Sequence, residues 1–186
     1  LGETAHLVKG NNAIGDNQSR LRNIIGPRHP ESGPEIATQL INMGLKVSLR
    51  SQGQAIEAGT QIYIADTMGE LGIFYHLAKI SFIGKSLMGG GGQNPLEAAW
   101  LESAIIFGPG MENFADISTA LVNVGGAKQI NDASQLAGAV AGLFDSPEDI
   151  EKMVANALNE AKSMAGSIEK IMSALEPFFE NTGDAP

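Results

Sequence analysis

Apolar positions along the chain fall into short runs separated by longer amphipathic stretches, and the two kinds alternate. The runs are "RNIIGP" (22–27), "KVSLR" (46–50), "QIYIAD" (61–66), "ISFIG" (80–84), "AIIFG" (104–108) and "AKQI" (127–130). Each has the length and the β-branched content of a strand. Between them lie "PEIATQLINMG", with Gly44 as a helix stop, "GELGIFYHLA", the short "NPLEAAWLES", "NFADISTALVNVG" and "DASQLAGAVAGLF", the last opened by Asp132 as a cap. Their apolar residues recur at helical spacing. Six strands alternating with helices predict the α/β class: a Rossmann-like parallel sheet of about six strands with helices on both faces, joined by right-handed crossovers. The opening segment, residues 1–18, carries only a weak pattern.

After residue 147 the pattern becomes purely helical, with Ile150, Met153, Val154, Ala157, Leu158, Ala161, Ala165, Ile168, Met172 and Leu175 on one stripe. Gly166 is the expected bend or break in it. The 147–179 segment is read as packing on the domain or on a partner domain outside this chain. With 186 residues, 43% of them hydrophobic, the length suits one domain over 1–186.

The formal charge of −9 argues against a surface that tracks nucleic acid, so any anion site must be local. Cysteine is absent, which removes disulfides and thiolate metal sites. No run approaches the ~20 apolar residues of a membrane span, so the chain as it stands is expected to be soluble. It begins at Leu1 rather than Met and is expected to be a fragment.

In such sheets ligands sit beyond the carboxyl ends of the strands, where helix N-termini favour anions. Three loops there are unusual. "SLMGGGGQNPLE" holds four consecutive glycines, which are costly to order unless something lies against bare backbone. Asn94, Pro95, Leu96 and Glu97 then read as the cap and first turn of a helix. Glu97 repels a phosphate but can accept from two ribose hydroxyls. "DTMGEL" places Glu70 three residues after Thr67, at capping-box spacing, with Met68 covering Gly69. "GPRHPE" offers Arg28, whose guanidinium matches a phosphate, beside His29, which suits a structural histidine better than a catalyst.

No Asp-x-Asp pair, His-Glu-x-x-His motif, phosphate-loop motif, dinucleotide fingerprint or nucleophile elbow occurs. What remains is a metal-free nucleotide site made of helix ends, glycines and one arginine.

"PRHPE", "IYIADTMGELGIFYHLA", "SFIGKSL", "GGQNPLEAA" and "FGPGMENF", in this order, resemble the C-terminal domain of 3-deoxy-D-manno-octulosonic acid (Kdo) transferases over about 26–145. Lys85 departs from the pattern, standing where a glycine is common. The resemblance implies the C-terminal half of a GT-B glycosyltransferase fold that binds CMP-Kdo, in an enzyme moving Kdo to lipid A precursor during lipopolysaccharide assembly. It implies that Arg28 meets the donor phosphate and that Met68, Gly69 and Glu70 line the cytidine and phosphate region. Ser86, Gly91 and Gly92 would approach the sugar nucleotide, and Asn94 with Glu97 would hold the ribose. It further implies no catalytic residue in this chain, the general base being a glutamate of an N-terminal acceptor domain, and no cofactor or metal. The full-length enzyme would sit at the cytoplasmic face of the bacterial inner membrane. A UDP-sugar transferase or epimerase domain of the same fold, or a noncatalytic nucleotide-binding module, are the alternatives.

Overall fold

The structure, a computed structural model, describes residues 23–180, with side chains as far as residue 166. The expectation for residues 1–18 falls outside what is described, as do the side chains of the stripe positions Ile168, Met172 and Leu175.

The six strands appear where the apolar runs place them: β1 (Asn23–Ile25), β2 (Val47–Leu49), β3 (Ile62–Ile64), β4 (Ile80–Ile83), β5 (Ala104–Phe107) and β6 (Ala127–Gln129). The helices between them are α1 (Gly33–Asn42), α2 (Leu71–Leu77), α3 (Leu96–Trp100), α4 (Ala115–Asn123), α5 (Ala133–Asp145) and α6 (Pro147–Glu180). Every strand pairing is parallel, because each strand is returned by a crossover rather than a hairpin.

One expectation is corrected. The strands form two three-stranded sheets, ordered β1-β3-β2 and β4-β5-β6, rather than a continuous sheet of six. The physical reason lies in the order: β3 sits centrally and pairs with both β1 and β2, which leaves β1 as an edge among the described residues. No ladder joins that edge to β4 among the described residues.

Side-chain alternation along β5 builds the core of the second sheet. Ile105 and Phe107 point to one face, where Ala98 and Ala99 of α3, Leu121 of α4, and Ala157 and Ala161 of α6 cover them. Ala104 and Ile106 point to the other, against Leu136, Ala139 and Leu143 of α5. A strand buried on both faces reads as an unbroken apolar run, as "AIIF" does. In the first sheet, Ile36, Ala37 and Leu40 of α1 pack on Leu49, Ile62 and Ile64. At ~25 cal/mol per Å², each fully buried leucine or isoleucine here contributes about 2 kcal/mol of transfer free energy.

The long final helix packs its first half on the domain, with Ala157 and Ala161 in one core and Ile150, Met153 and Val154 against the other. It stays helical through Gly166, so the expected break is absent. One glycine costs a helix only about 1 kcal/mol, too little to end one of this length.

Candidate nucleotide site

The loops after β1, β3 and β4 open onto one cavity of about 1460 Å³, whose walls also include residues of β1 and β4. Arg28, Met68, Gly69, Gly92, Asn94 and Glu97 all line it. These come from three loops separated in sequence by tens of residues, and the parallel topology brings them together. Glu70, Ser86 and Gly91, the remaining residues singled out in the sequence, do not line it.

Arg28 is exposed and donates from Nη1 to Gln93 Oε1 at 3.4 Å, so the guanidinium leans on the end of the glycine loop. His29 lies 3.7 Å from Glu31, both side chains well exposed, which suits a surface pair. Met68 is 80% exposed, an uncommon display for an apolar side chain.

The four glycines have distinct duties. All have positive φ, 77° at Gly89, 137° at Gly90, 80° at Gly91 and 73° at Gly92. Gly89 and Gly90 are exposed at the tip, while Gly91 and Gly92 are buried. The loop closes on itself: Gly92 N donates to Lys85 O at 3.1 Å, and Gly91 O accepts from Asn113 N at 3.1 Å. Those two groups are therefore committed to the protein, and the amides of the tip are the ones left to face solvent. A Cβ on Gly91 would fall 2.1 Å from Asn113 Nδ2, and one on Gly92 2.5 Å from Met111 Sδ.

Ser86 is a strut. Its side chain is fully buried, Oγ donating to Ile83 O at 2.6 Å and accepting from Gly108 N at 2.8 Å. Its carbonyl accepts from Gly110 N at 2.7 Å, so the "FGPG" segment is pinned to the base of the glycine loop. Asn94 acts as the cap expected of it, Oδ1 accepting from Leu96 N at 3.0 Å. Glu97 does not reach back to complete a box; its exposed carboxylate stays on the cavity side, close enough to Tyr75 to add to the burial that pushes that phenol's pKa up.

The capping box expected at Thr67 and Glu70 does not form. The turn at Gly69, with φ 80°, delays the helix to Leu71, and Thr67 Oγ1 donates to the Glu70 carboxylate instead. Arg50 grips the same carboxylate with both forks, Nε to Oε2 at 3.0 Å and Nη2 to Oε1 at 2.7 Å. The Arg50 and Thr67 hydrogen bonds hold the Glu70 pKa down to about 2. Next to Arg50, Ser51 binds the buried Asp66 from its backbone N at 2.8 Å and its Oγ at 2.6 Å.

No protein-family model matches the chain. Among curated proteins it is 31% identical over 180 residues to 3-deoxy-D-manno-octulosonic acid transferase of Haemophilus influenzae, 96% of this chain and 42% of that one. It is 32% identical over 158 residues to the enzyme of the same name from Rickettsia bellii, 84% of this chain and 38% of that one. Among solved structures, the C-terminal CMP-Kdo binding domain of WaaA from Acinetobacter baumannii superimposes with a TM-score of 0.80 at 33% identity, covering 85% of this chain and 82% of that one. The chain belongs to the Kdo transferase family. The C-terminal domain of a group 1 glycosyl transferase (LpcC) from Francisella tularensis shares the fold, with a TM-score of 0.61 at 14% identity over 86% of this chain and 77% of that one.

The chain spans about two fifths of the length of these curated Kdo transferases. Two residues that matter here escaped the sequence reading of this Kdo transferase domain. Gln93 lines the cavity between the glycine run and Asn94, its Oε1 turned to Arg28 and its Nε2 buried without a partner among the described residues. Arg50 follows β2 directly, and a fixed cation at the carboxyl end of a strand was the signal that could have found it.

Proposed function

We propose that this chain is the donor-binding domain of a glycosyltransferase that moves Kdo from CMP-Kdo to lipid A precursor. The observation that supports it most is the convergence of Arg28, Met68, Gly69, Gly92, Asn94 and Glu97 on one cavity, in a family member matched to a CMP-Kdo binding domain.

In this reading the Arg28 guanidinium forks onto the donor phosphate and stabilises the charge that develops on CMP as the sugar leaves. Because that cation is part of the chain, this reading gives the leaving group its countercharge without a metal. Glu97 accepts from the ribose hydroxyls, far enough along the nucleotide to spare the phosphate its repulsion. Met68 covers the base with an adaptable thioether, and Gly69 and Gly92 leave room for backbone to approach. Ser86, Gly91 and Glu70 serve the same site from behind, by fixing its loops. The acceptor and the general base that deprotonates its hydroxyl belong to an N-terminal domain, and the full enzyme works at the cytoplasmic face of the inner membrane. Among the described residues no helix is long and apolar enough to cross a membrane.

Calorimetric titration with CMP tests this reading, with UMP and cytidine as comparators. The expectation is saturable binding that prefers CMP to UMP and loses most of its strength with cytidine or on Arg28→Ala. Equal binding of UMP would favour a UDP-sugar enzyme of the same fold.

A further inference from the structure

The Met68–Gly69 turn is the part of the cavity wall least able to hold its own shape. Met68 is 80% exposed, Gly69 has φ 80° with nothing within 4 Å of a Cβ built on it, and neither takes part in a hydrogen bond among the described residues. Left to itself such a turn samples many conformations, and ordering it on ligand arrival would cost affinity.

Its two ends, by contrast, are held firmly and from the same place. Two residues before it, Asp66 is 4% exposed and receives two hydrogen bonds from Ser51. The residue after it, Glu70, receives the bidentate fork of Arg50. Arg50 and Ser51 are consecutive, follow β2, and lie outside the cavity wall, as Asp66 and Glu70 do. One dipeptide therefore clamps both ends of a turn whose middle faces the ligand space. Two charge-assisted contacts on carboxylates are the strong kind of hydrogen bond, and the guanidinium fork also fixes the plane of Glu70.

Resting on the nucleotide-site reading above, we propose that Arg50 and Ser51 are positioning residues that hold the Met68–Gly69 turn in its ligand-ready shape from outside the site. Neither touches the ligand. Their effect is to meet the ordering cost during folding instead of at binding. Glu70 becomes the handle by which the turn is held, rather than a group offered to the nucleotide.

The test pairs two readouts on this chain carrying methyl-labelled methionine: the Met68 methyl signal without ligand, and calorimetric titration with CMP. Met111, buried in the core beside the glycine loop, serves as the internal control for folding. For Arg50→Ala the expected result is a Met68 signal that moves toward its unfolded-chain position while Met111 stays in place, with CMP binding weakened roughly five- to tenfold. Arg50→Lys, which keeps the charge and loses the fork, should fall between it and the wild type. Arg50→Ala combined with Glu70→Gln should be no weaker than Arg50→Ala alone, since the pair acts as one unit. If Met111 moves as well in Arg50→Ala, Ser51→Ala and Arg50→Lys are judged by the same two signals. An unmoved Met68 signal with CMP affinity equal to wild type in these variants overturns the inference. A wild type that binds no CMP overturns the nucleotide reading alone, because the Met68 signal reports the clamp without any ligand.

Discussion

Alanine at Gly92 should cost several times what alanine costs at Gly89, although the two glycines share nearly the same φ. At Gly89, φ is 77° and a Cβ would meet nothing within 4 Å. The only penalty is the left-handed conformation, about 1–2 kcal/mol for a residue with a Cβ, offset by roughly 0.4–1 kcal/mol because alanine restricts the unfolded chain. The net is about 1 kcal/mol. At Gly92 the same conformational cost applies, but the Cβ would also stand 2.5 Å from Met111 Sδ and 3.1 Å from its Cε. Met111 is 4% exposed and packed in the core, so its thioether cannot swing into solvent. Overpacking of this kind adds about 1–3 kcal/mol, for a total of about 2–4 kcal/mol. Thermal unfolding measures the difference: at ~2–4 °C per kcal/mol for a chain of this size, Gly89→Ala should lose a few degrees and Gly92→Ala roughly 4–16 °C. Gly138→Ala fixes the sign of the scale, because Gly138 lies inside α5 with open space around it, and alanine there should stabilise by up to ~1 kcal/mol. Equal losses at Gly89 and Gly92 would refute the reasoning, since they would mean that the inner glycines are not held by packing.

Three further outcomes follow from other parts of the molecule. Glu102 has φ 58° at the end of α3, with Ser103 N donating to Ala98 O and Glu102 N to Ala99 O, a termination that favours glycine; Glu102→Gly should raise stability by about 0.5–1 kcal/mol in urea unfolding. Asp132 caps α5 by accepting from Ser134 N at 2.8 Å and Gln135 N at 3.1 Å, so Asp132→Ala should lose about 1 kcal/mol by the same measurement while Asp132→Asn keeps most of it. Glu70 is held at a pKa of about 2, below the ~4.3 of a free glutamate, so its stabilising contribution is complete above about pH 4.3 and fades as the pH falls toward 2. The stability gap between wild type and Glu70→Gln should therefore narrow across that window, and a gap that stays constant would contradict the ion pair.

Strand and helix placement was legible because periodicity carries it. "AIIF" has to be a strand buried on both faces, and the alternation of such runs with amphipathic stretches leaves parallel crossovers as the natural connection. Sheet continuity was not legible, since which strand neighbours β1 is decided by long-range pairing that leaves no local trace. At the site, Asn94 was readable as a cap because a cap is a local device. Glu70 was misread for the opposite reason. The capping-box spacing was present, but Arg50, distant in sequence, offers the carboxylate a stronger partner than a helix amide does. Ser86, expected to approach the sugar nucleotide, is fully buried, and no sequence pattern tells that Gly108 and Gly110 come down on its oxygens.

The most direct test of the central claim is the affinity of this chain for CMP in wild type, Arg28→Ala and Glu97→Ala, with folding of each checked by its melting curve. The account predicts saturable binding, a loss of about tenfold or more for each substitution, as expected when a charged hydrogen-bonding partner of a bound ligand is removed, and melting curves close to wild type, since both side chains are exposed. Binding of CMP that is indifferent to both substitutions would place the nucleotide elsewhere and contradict it.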